Sequence, residues 1–435
     1  MKRFVVALFA VLIMATPALA EKTKVSFWHA MGGDRITLIK EMCDDFNKAH
    51  PDIEVTPEYK GSYRDTLNAS ILAFKQGKAP NIVHIFEVGS QLGVDAGIFM
   101  PFEDTIKPGD DAKLDDFVDG VANYYRIGGK FYSVPFNSSN PVLYYNKTLF
   151  KKAGLDPENP PKTFNEVIAA SEKLKASGAA PYGITWPLHC WFVEQWMGNQ
   201  GALLANNENG RAARATDILL DSEPMLKIMT WWKKMYDDKL FVYSGKVEDW
   251  DGANNLFISG QAAMLITSTS DITFMQKAAE ENHFELGTGF LPVADGSENF
   301  GTIVGGASLW MTKGHSDKAN DATKNFLLWF TNTANEVRWH KGTGYFPVRK
   351  SAVTELEKEN WFEKNPAYAA AFKQLMATKP VRSTQGAMLG MFPELRNIVT
   401  DAVQSILNGA DIKATMKDAD ARADKALERY NRSVK

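Results

Sequence analysis

The sequence has few of the residues that carry covalent or metal chemistry. Among 435 residues there are two cysteines, Cys43 and Cys190, and seven histidines, none at a metal-ligand spacing. No Gly-x-x-x-x-Gly-Lys-Ser/Thr phosphate loop, His-Glu-x-x-His pair or Gly-x-Ser-x-Gly elbow occurs. Triads assembled in space leave no such trace, so this weakens an enzymatic reading without removing it. There is no excess of positive charge: the formal net charge is −3, and more negative still without Lys2 and Arg3. A basic footprint for nucleic acid is therefore missing, although a local anion site remains compatible with an acidic surface. Long apolar runs are also missing. Phe4 to Ala15 is too short to span a bilayer. Preceded by Lys2-Arg3 and followed by Ala18-Leu19-Ala20, it reads as a secretory signal peptide cleaved after Ala20. Glu21, not cysteine, comes next, so a lipid-anchored N-terminus is not supported. An exported, periplasmic, soluble and monomeric protein is expected.

What is present suits a large globular chain, with 45% hydrophobic and 23% charged residues, so disorder is unsupported. The length allows two domains. From Lys24 the chain alternates strand and helix. Lys24–His29 is a strand ending in aromatics. A helix from Asp34 carries Ile36, Ile39, Met42 and Phe46 on one face and stops at Pro51. Ile53 and Val55 open a second strand, Leu67, Ile71 and Phe74 mark a second helix, and Ile82–Phe86 is a buried third strand leading into Glu87. This order predicts a mostly parallel α/β sheet, with ligands beyond the strands' carboxyl ends. Glu87 and the Tyr63 loop occupy such positions. Around Pro135 the chain is expected to cross into a second lobe and to return at Thr267–Ser270. Thr163, capping a helix after Pro160-Pro161, has Glu166 as its capping-box partner, and Ser316 starts another helix. The fold class is therefore α/β with two lobes, each a mixed, mostly parallel sheet flanked by helices, and a ligand in the cleft: 21–135 with 268–330, and 136–267 with 331–435. A disulfide between Cys43 and Cys190 would tie the lobes together, so two separate thiols are expected.

Several residues have the chemistry of ligand contacts, and each has an ordinary structural alternative. Arg396, in Pro393-Glu-Leu-Arg396 at a helix start, is either a solvated cation or an anion contact, since its charge gains nothing from the helix dipole there. Gly306 after Gly305 is a tight turn or a backbone N–H open to an anion. Tyr345, Tyr63, Ser139 and Ser268 line turns or strand ends, and Glu87 is a strand-end carboxylate or an acceptor for vicinal hydroxyls. Trp186, Trp191, Phe192 and Trp196 are core, or a platform for a polyol.

The run Tyr145-Asn-Lys147, Ala153-Gly-Leu155 and Pro161-Lys-Thr-Phe164 resembles the solute-binding proteins of bacterial ABC importers, in the class that includes the maltose binder. More narrowly, Phe27-Trp-His, Tyr59-Lys-Gly-Ser-Tyr63, Phe86-Glu-Val-Gly89, Phe136-Asn-Ser-Ser139, Ala263-Met264 with Ser268, Gly305-Gly-Ala-Ser-Leu-Trp310, Thr343-Gly-Tyr345 and Pro393-Glu-Leu-Arg396 resemble the glycerol-3-phosphate-binding family. The resemblance implies that Tyr63, Glu87, Ser139, Ser268, Gly306, Tyr345 and Arg396 hold the ligand. Arg396, Tyr345, Ser268 and Gly306 would take the phosphate and Glu87 the glycerol hydroxyls, without metal, cofactor or catalytic residue, and a membrane ABC permease with its ATPase would be the partner. By the same likeness Phe164 replaces a tryptophan near the glycerol end, leaving room for a glycerophosphodiester. An oligosaccharide binder of the same fold, or an exported phosphodiesterase, are the alternatives.

Overall fold

The computed structural model describes residues 21–434; the signal-peptide reading lies outside them. Among the described residues the strands are, in chain order, β1 (Thr23–His29), β2 (Ile53–Tyr59), β3 (Ile82–Phe86), β4 (Phe99–Met100), β5 (Arg126–Ile127), β6 (Lys130–Phe131), β7 (Val134–Ser139), β8 (Pro141–Asn146), β9 (Tyr182–Thr185), β10 (Phe241–Val242), β11 (Ala262–Ser268), β12 (Leu286–Gly289) and β13 (Gly305–Thr312). They build two main sheets. The first has the order β2-β1-β3-β13-β4, with β7 also pairing β13; the second runs β10-β9-β11-β8-β12.

Local sequence explains these elements. In the helix Asp34–Ala49, Ile39, Met42, Cys43 and Phe46 recur at helical spacing and are buried, whereas Ile36 is largely exposed. β3 lies between β1 and β13 and is buried at every position, as its apolar run, interrupted only by His84, requires. β2 is an edge strand, which tolerates Pro57. Thr163 accepts a hydrogen bond from the Glu166 N–H, but the Glu166 carboxylate takes the N–H of Lys162 rather than that of Thr163. Ser316 caps the helix Asp317–Phe330 through the Ala319 N–H.

The sheets are mixed, as expected, and the place of the first crossing is corrected. The parallel order holds for β2-β1-β3 and β10-β9-β11, but β13 and β8 run antiparallel to their sheets, because strands returning from the other sheet enter from the opposite end. The chain leaves the first sheet after Ser139, not at Pro135. Polar Asn137–Ser139 stay in that sheet because they pair with Gly305–Ala307 of β13, and β8 begins directly beyond Asn140. Cys43 and Cys190 are separate buried thiols.

Candidate ligand-binding site

A cavity of about 530 Å3 opens where the crossing strands meet the loops beyond β1 and β3, and Tyr63, Glu87, Ser139, Ser268, Gly306, Tyr345 and Arg396 all line it. Their positions follow from the chain's local rules. Tyr63 is the first residue of the helix Tyr63–Lys75, fixed by a reciprocal capping box between Ser62 and Asp65. Its ring stacks on Phe86 at 5.7 Å, and its hydroxyl accepts from Asn137 Nδ2 at 2.9 Å. Asn137 Oδ1 in turn meets His84 Nε2, and burial pushes the His84 pKa down to about 3, so that imidazole is neutral. Burial likewise raises the Tyr63 phenol well above its usual value, which keeps its proton available for donation.

Ser139 closes β7 and Ser268 closes β11; Ser268 Oγ accepts from the Ser270 N–H and so turns the chain into the next helix. Gly306, the second residue of β13, has φ +105, and a Cβ there would lie 1.9 Å from the Asn137 carbonyl oxygen. Only glycine allows β7 and β13 to pair this closely. Tyr345 follows the left-handed Gly344 at a helix C-terminus and stacks on Trp339 at 5.9 Å. The Phe346 N–H donates to Ser138 O, so Tyr345 and Ser139 stand on the first-sheet side and not, as expected from their places in the chain, beside Arg396. The aromatic packing of Trp339 against Phe136 draws this segment back to the first sheet.

Arg396 is buried in the helix Phe392–Leu407 between two carboxylates. Nε and Nη2 donate to Glu194 at 2.6 and 2.8 Å, and Nη2 also donates to Glu87 at 2.6 Å. Nη1 has no hydrogen-bond partner among the described residues. Burial opposes the arginine's charge, yet Glu194 and Glu87 together hold its pKa well above the ordinary value. Burial raises the Glu87 carboxyl, against the pull of Arg396. Glu194 thus aims the guanidinium fork, while Glu87 links the loop after β3 to the helix behind the second sheet.

Other residues of the cavity escaped the sequence reading. Arg35 donates to Ser270 O at 2.9 Å, approaches Asp271 at 3.5 Å and lies over the Tyr345 ring. Its signal was its place: the first helical turn after β1, at the same kind of strand end that singled out Glu87. Glu194 was visible as the one acid in the apolar helix Cys190–Asn199, a buried charge that requires a cation. The aromatic segment divides. Trp186, Phe192 and Trp196 are fully buried core, whereas Trp191 lines the cavity beside Trp250. Phe164 stacks on Trp231 at 3.9 Å and edge-on to Trp196, buried among these aromatics and outside the cavity lining. The looser ligand end expected there is therefore not at Phe164.

Residues 41–370 match the family model described as bacterial extracellular solute-binding protein. The chain belongs to this solute-binding protein family. Among its relatives, the sn-glycerol-3-phosphate-binding periplasmic protein UgpB of Brucella abortus (strain 2308) is 33% identical over 418 residues, covering 95% of this chain and 93% of the relative. That of Shigella flexneri serotype 5b is 33% identical over 423 residues, covering 95% and 94%. Among solved structures, UgpB from Mycobacterium tuberculosis in complex with glycerophosphocholine aligns with a TM-score of 0.78 at 21% identity, covering 94% of this chain and 99% of that one. The cyclic alpha-maltosyl-1,6-maltose binding protein from Arthrobacter globiformis aligns at 0.76 and 22%, with 94% of this chain and 100% of that one covered. Both share the two-lobed fold of this solute-binding protein.

Proposed function

We propose that this solute-binding protein is the periplasmic ligand receptor of an ABC importer, and that it binds sn-glycerol-3-phosphate or its diesters and delivers them unchanged to a membrane permease. The observation that carries the reading is convergence. Seven residues spread from position 63 to position 396 line one cavity between the sheets, and the relatives named above, similar over nearly the whole chain, are named for this ligand.

The chemistry is adequate without a metal. Arg396, held by Glu194, has Nη1 left for a phosphate oxygen, and an arginine aimed in advance loses little freedom on binding. The Gly306 backbone, the Ser268 and Ser139 hydroxyls and the Tyr63 and Tyr345 phenols supply further partners, and Glu87 accepts from the glycerol hydroxyls. Because Arg396 comes from one side and Glu87, Tyr63 and Gly306 from the other, a ligand that engages both favours the closed arrangement of the lobes. The proposed lobes divide at Asn140 and Ser268, with the Tyr345 segment on the first side and the helix of Arg396 on the second.

A neutral oligosaccharide is the second reading, favoured by the cavity wall of Trp191 and Trp250. Thermal unfolding of the mature chain with glycerol-3-phosphate, a glycerophosphodiester or maltose separates the two. A ligand at about 100 times its dissociation constant stabilises by roughly 2.7 kcal/mol. Stabilisation by the phosphate esters, and recovery of the ester intact, is expected; a response to maltose alone contradicts the proposal.

A further inference from the structure

Two polar side chains lie behind the cavity wall, in a sheet that is otherwise apolar there. His84 is the middle residue of β3 and Asn137 belongs to β7; both are fully buried, and neither lines the cavity. The two strands flank β13. Ala307, opposite Phe86 on one side and Asn137 on the other, is small enough for the two side chains to meet across it. An isoleucine or leucine at position 84 would continue the apolar run of β3 without desolvating an imidazole. Core packing alone gives no reason for a histidine there.

The hydrogen bonds of this pair run in one direction. The Ala30 N–H points at His84 Nδ1 at 3.5 Å, which makes that nitrogen the acceptor. The neutral ring then carries its proton on Nε2, 2.5 Å from Asn137 Oδ1. A protonated ring would set a second N–H against that of Ala30. With its oxygen taken, the Asn137 amide presents Nδ2 to the Tyr63 hydroxyl at 2.9 Å. The hydroxyl thus accepts from the buried side, and its own proton is turned to the cavity that Tyr63 lines. Among the described residues no acceptor takes up this proton. Burial, and then the neighbouring Tyr345, raise the phenol well above its usual pKa, so the proton stays in place. An amide turned over would reverse the whole chain: Oδ1 would draw the Tyr63 proton inward and leave lone pairs facing the ligand.

We propose that His84 and Asn137 are positioning residues that fix the Tyr63 hydroxyl as a hydrogen-bond donor to the bound ligand. This rests on the phosphate-ester reading above and deepens it at one contact. An ester oxygen bearing negative charge offers lone pairs and no proton, so a donor oriented in advance meets it without reorganising. A free phenol has to choose between donating and accepting; here the choice is made by a histidine and an amide that touch no ligand.

A double-mutant cycle by titration calorimetry of the mature chain with glycerol-3-phosphate tests this. His84→Leu removes the N–H that orients the amide, and Tyr63→Phe removes the hydroxyl at the end of the chain. His84→Leu is expected to weaken binding by about 10- to 100-fold in the parent, but by less than about 2-fold once Tyr63→Phe is present. A histidine that only packs weakens binding equally in both backgrounds; that result, or no loss in either, overturns the inference. Nitrogen-15 NMR of the histidine rings in the ligand-free parent reads the first link without any variant. Near pH 7 His84 is expected to be neutral and protonated on Nε2, and a proton on Nδ1 overturns the inference even where His84→Leu does not fold. If glycerol-3-phosphate binds the parent and the cycle shows no coupling, the phosphate-ester reading stands and the inference alone falls; if it does not bind the parent, both fall.

Discussion

Arg396 decides more about this molecule than any other single residue, because it is both the proposed ligand contact and a buried countercharge. Its removal leaves Glu87 and Glu194 buried without a cation, and breaking such an arrangement costs about 3–5 kcal/mol. Arg396→Ala is therefore expected to lower stability by about that amount in urea unfolding, in addition to abolishing phosphate-ester binding; a variant with unchanged stability contradicts the clasp. The same residue shows where sequence reasoning reached and where it stopped. A cation in the first turns of a helix is anomalous without an anion, and that anomaly pointed to the site. It did not tell a ligand phosphate from a protein carboxylate, and the structure holds two of the latter. Trp250 lay outside the reading because nothing local distinguishes a tryptophan after Asp249, and Arg35, though its place after β1 matches that of Glu87, is fixed in the cavity only by its distant contacts with Ser270, Asp271 and Tyr345.

At the scale of elements, the pairing of β7 with β13 sets the floor of the site. Gly306→Ala would place a methyl against the Asn137 carbonyl in a backbone conformation that L-residues seldom adopt. It is expected to cost at least about 2 kcal/mol and to impair binding, read as a lowered denaturant midpoint together with weaker ligand stabilisation. The helix Thr333–Thr343 and the strand-like segment after it are tied by Glu336, whose Oε2 accepts the Val348 N–H at 3.1 Å. Burial pushes the Glu336 carboxyl up to about 8, offset in part by that hydrogen bond and by Arg349. A pKa raised on folding means that the folded state holds the proton more tightly than the unfolded one. The stabilisation is thus fully present below about pH 4.5 and is lost as pH rises through about 8, at up to about 1.4 kcal/mol per pH unit. Glu336→Gln should gain stability relative to the parent across that window, checked by urea midpoints at acidic, neutral and alkaline pH; a difference independent of pH contradicts the assignment. Elements with strong periodicity, such as β3 and the helix Asp34–Ala49, were legible from the sequence. The crossing was displaced because Asn137–Ser139 look like loop residues until their hydrogen-bond partners in the Gly-Gly strand are known.

For the whole molecule, contacts between the two sides beyond the cavity govern how far the lobes open. Asp95, after β3, receives two hydrogen bonds from Arg214 at 2.9 Å and one from Tyr430 at 2.8 Å, and Arg64 reaches Pro393 and Asn397 across the cleft. Burial raises the Asp95 carboxyl while these donors lower it, and the donors prevail. Asp95→Ala removes this bridge. Small-angle scattering without added ligand should then show a larger radius of gyration, and affinity should fall several-fold, because less of the population is ready to bind. An unchanged radius would mean that the bridge does not restrain the lobes. Two-lobed architecture was legible from the alternation of strands and helices and from a resemblance extending along the chain. The lobe to which each returning segment belongs was not, since Tyr345 is held to the first sheet by Trp339 and Phe136 and not by its neighbours in sequence.

Whether the proposed phosphate ester lies in this cavity against Arg396 is decided by a crystal structure of the mature chain grown with glycerol-3-phosphate. The phosphate is expected within hydrogen-bond reach of Arg396 Nη1 and of Gly306, with the glycerol hydroxyls toward Glu87. A phosphate bound elsewhere, or a cavity that takes up only a sugar, contradicts it.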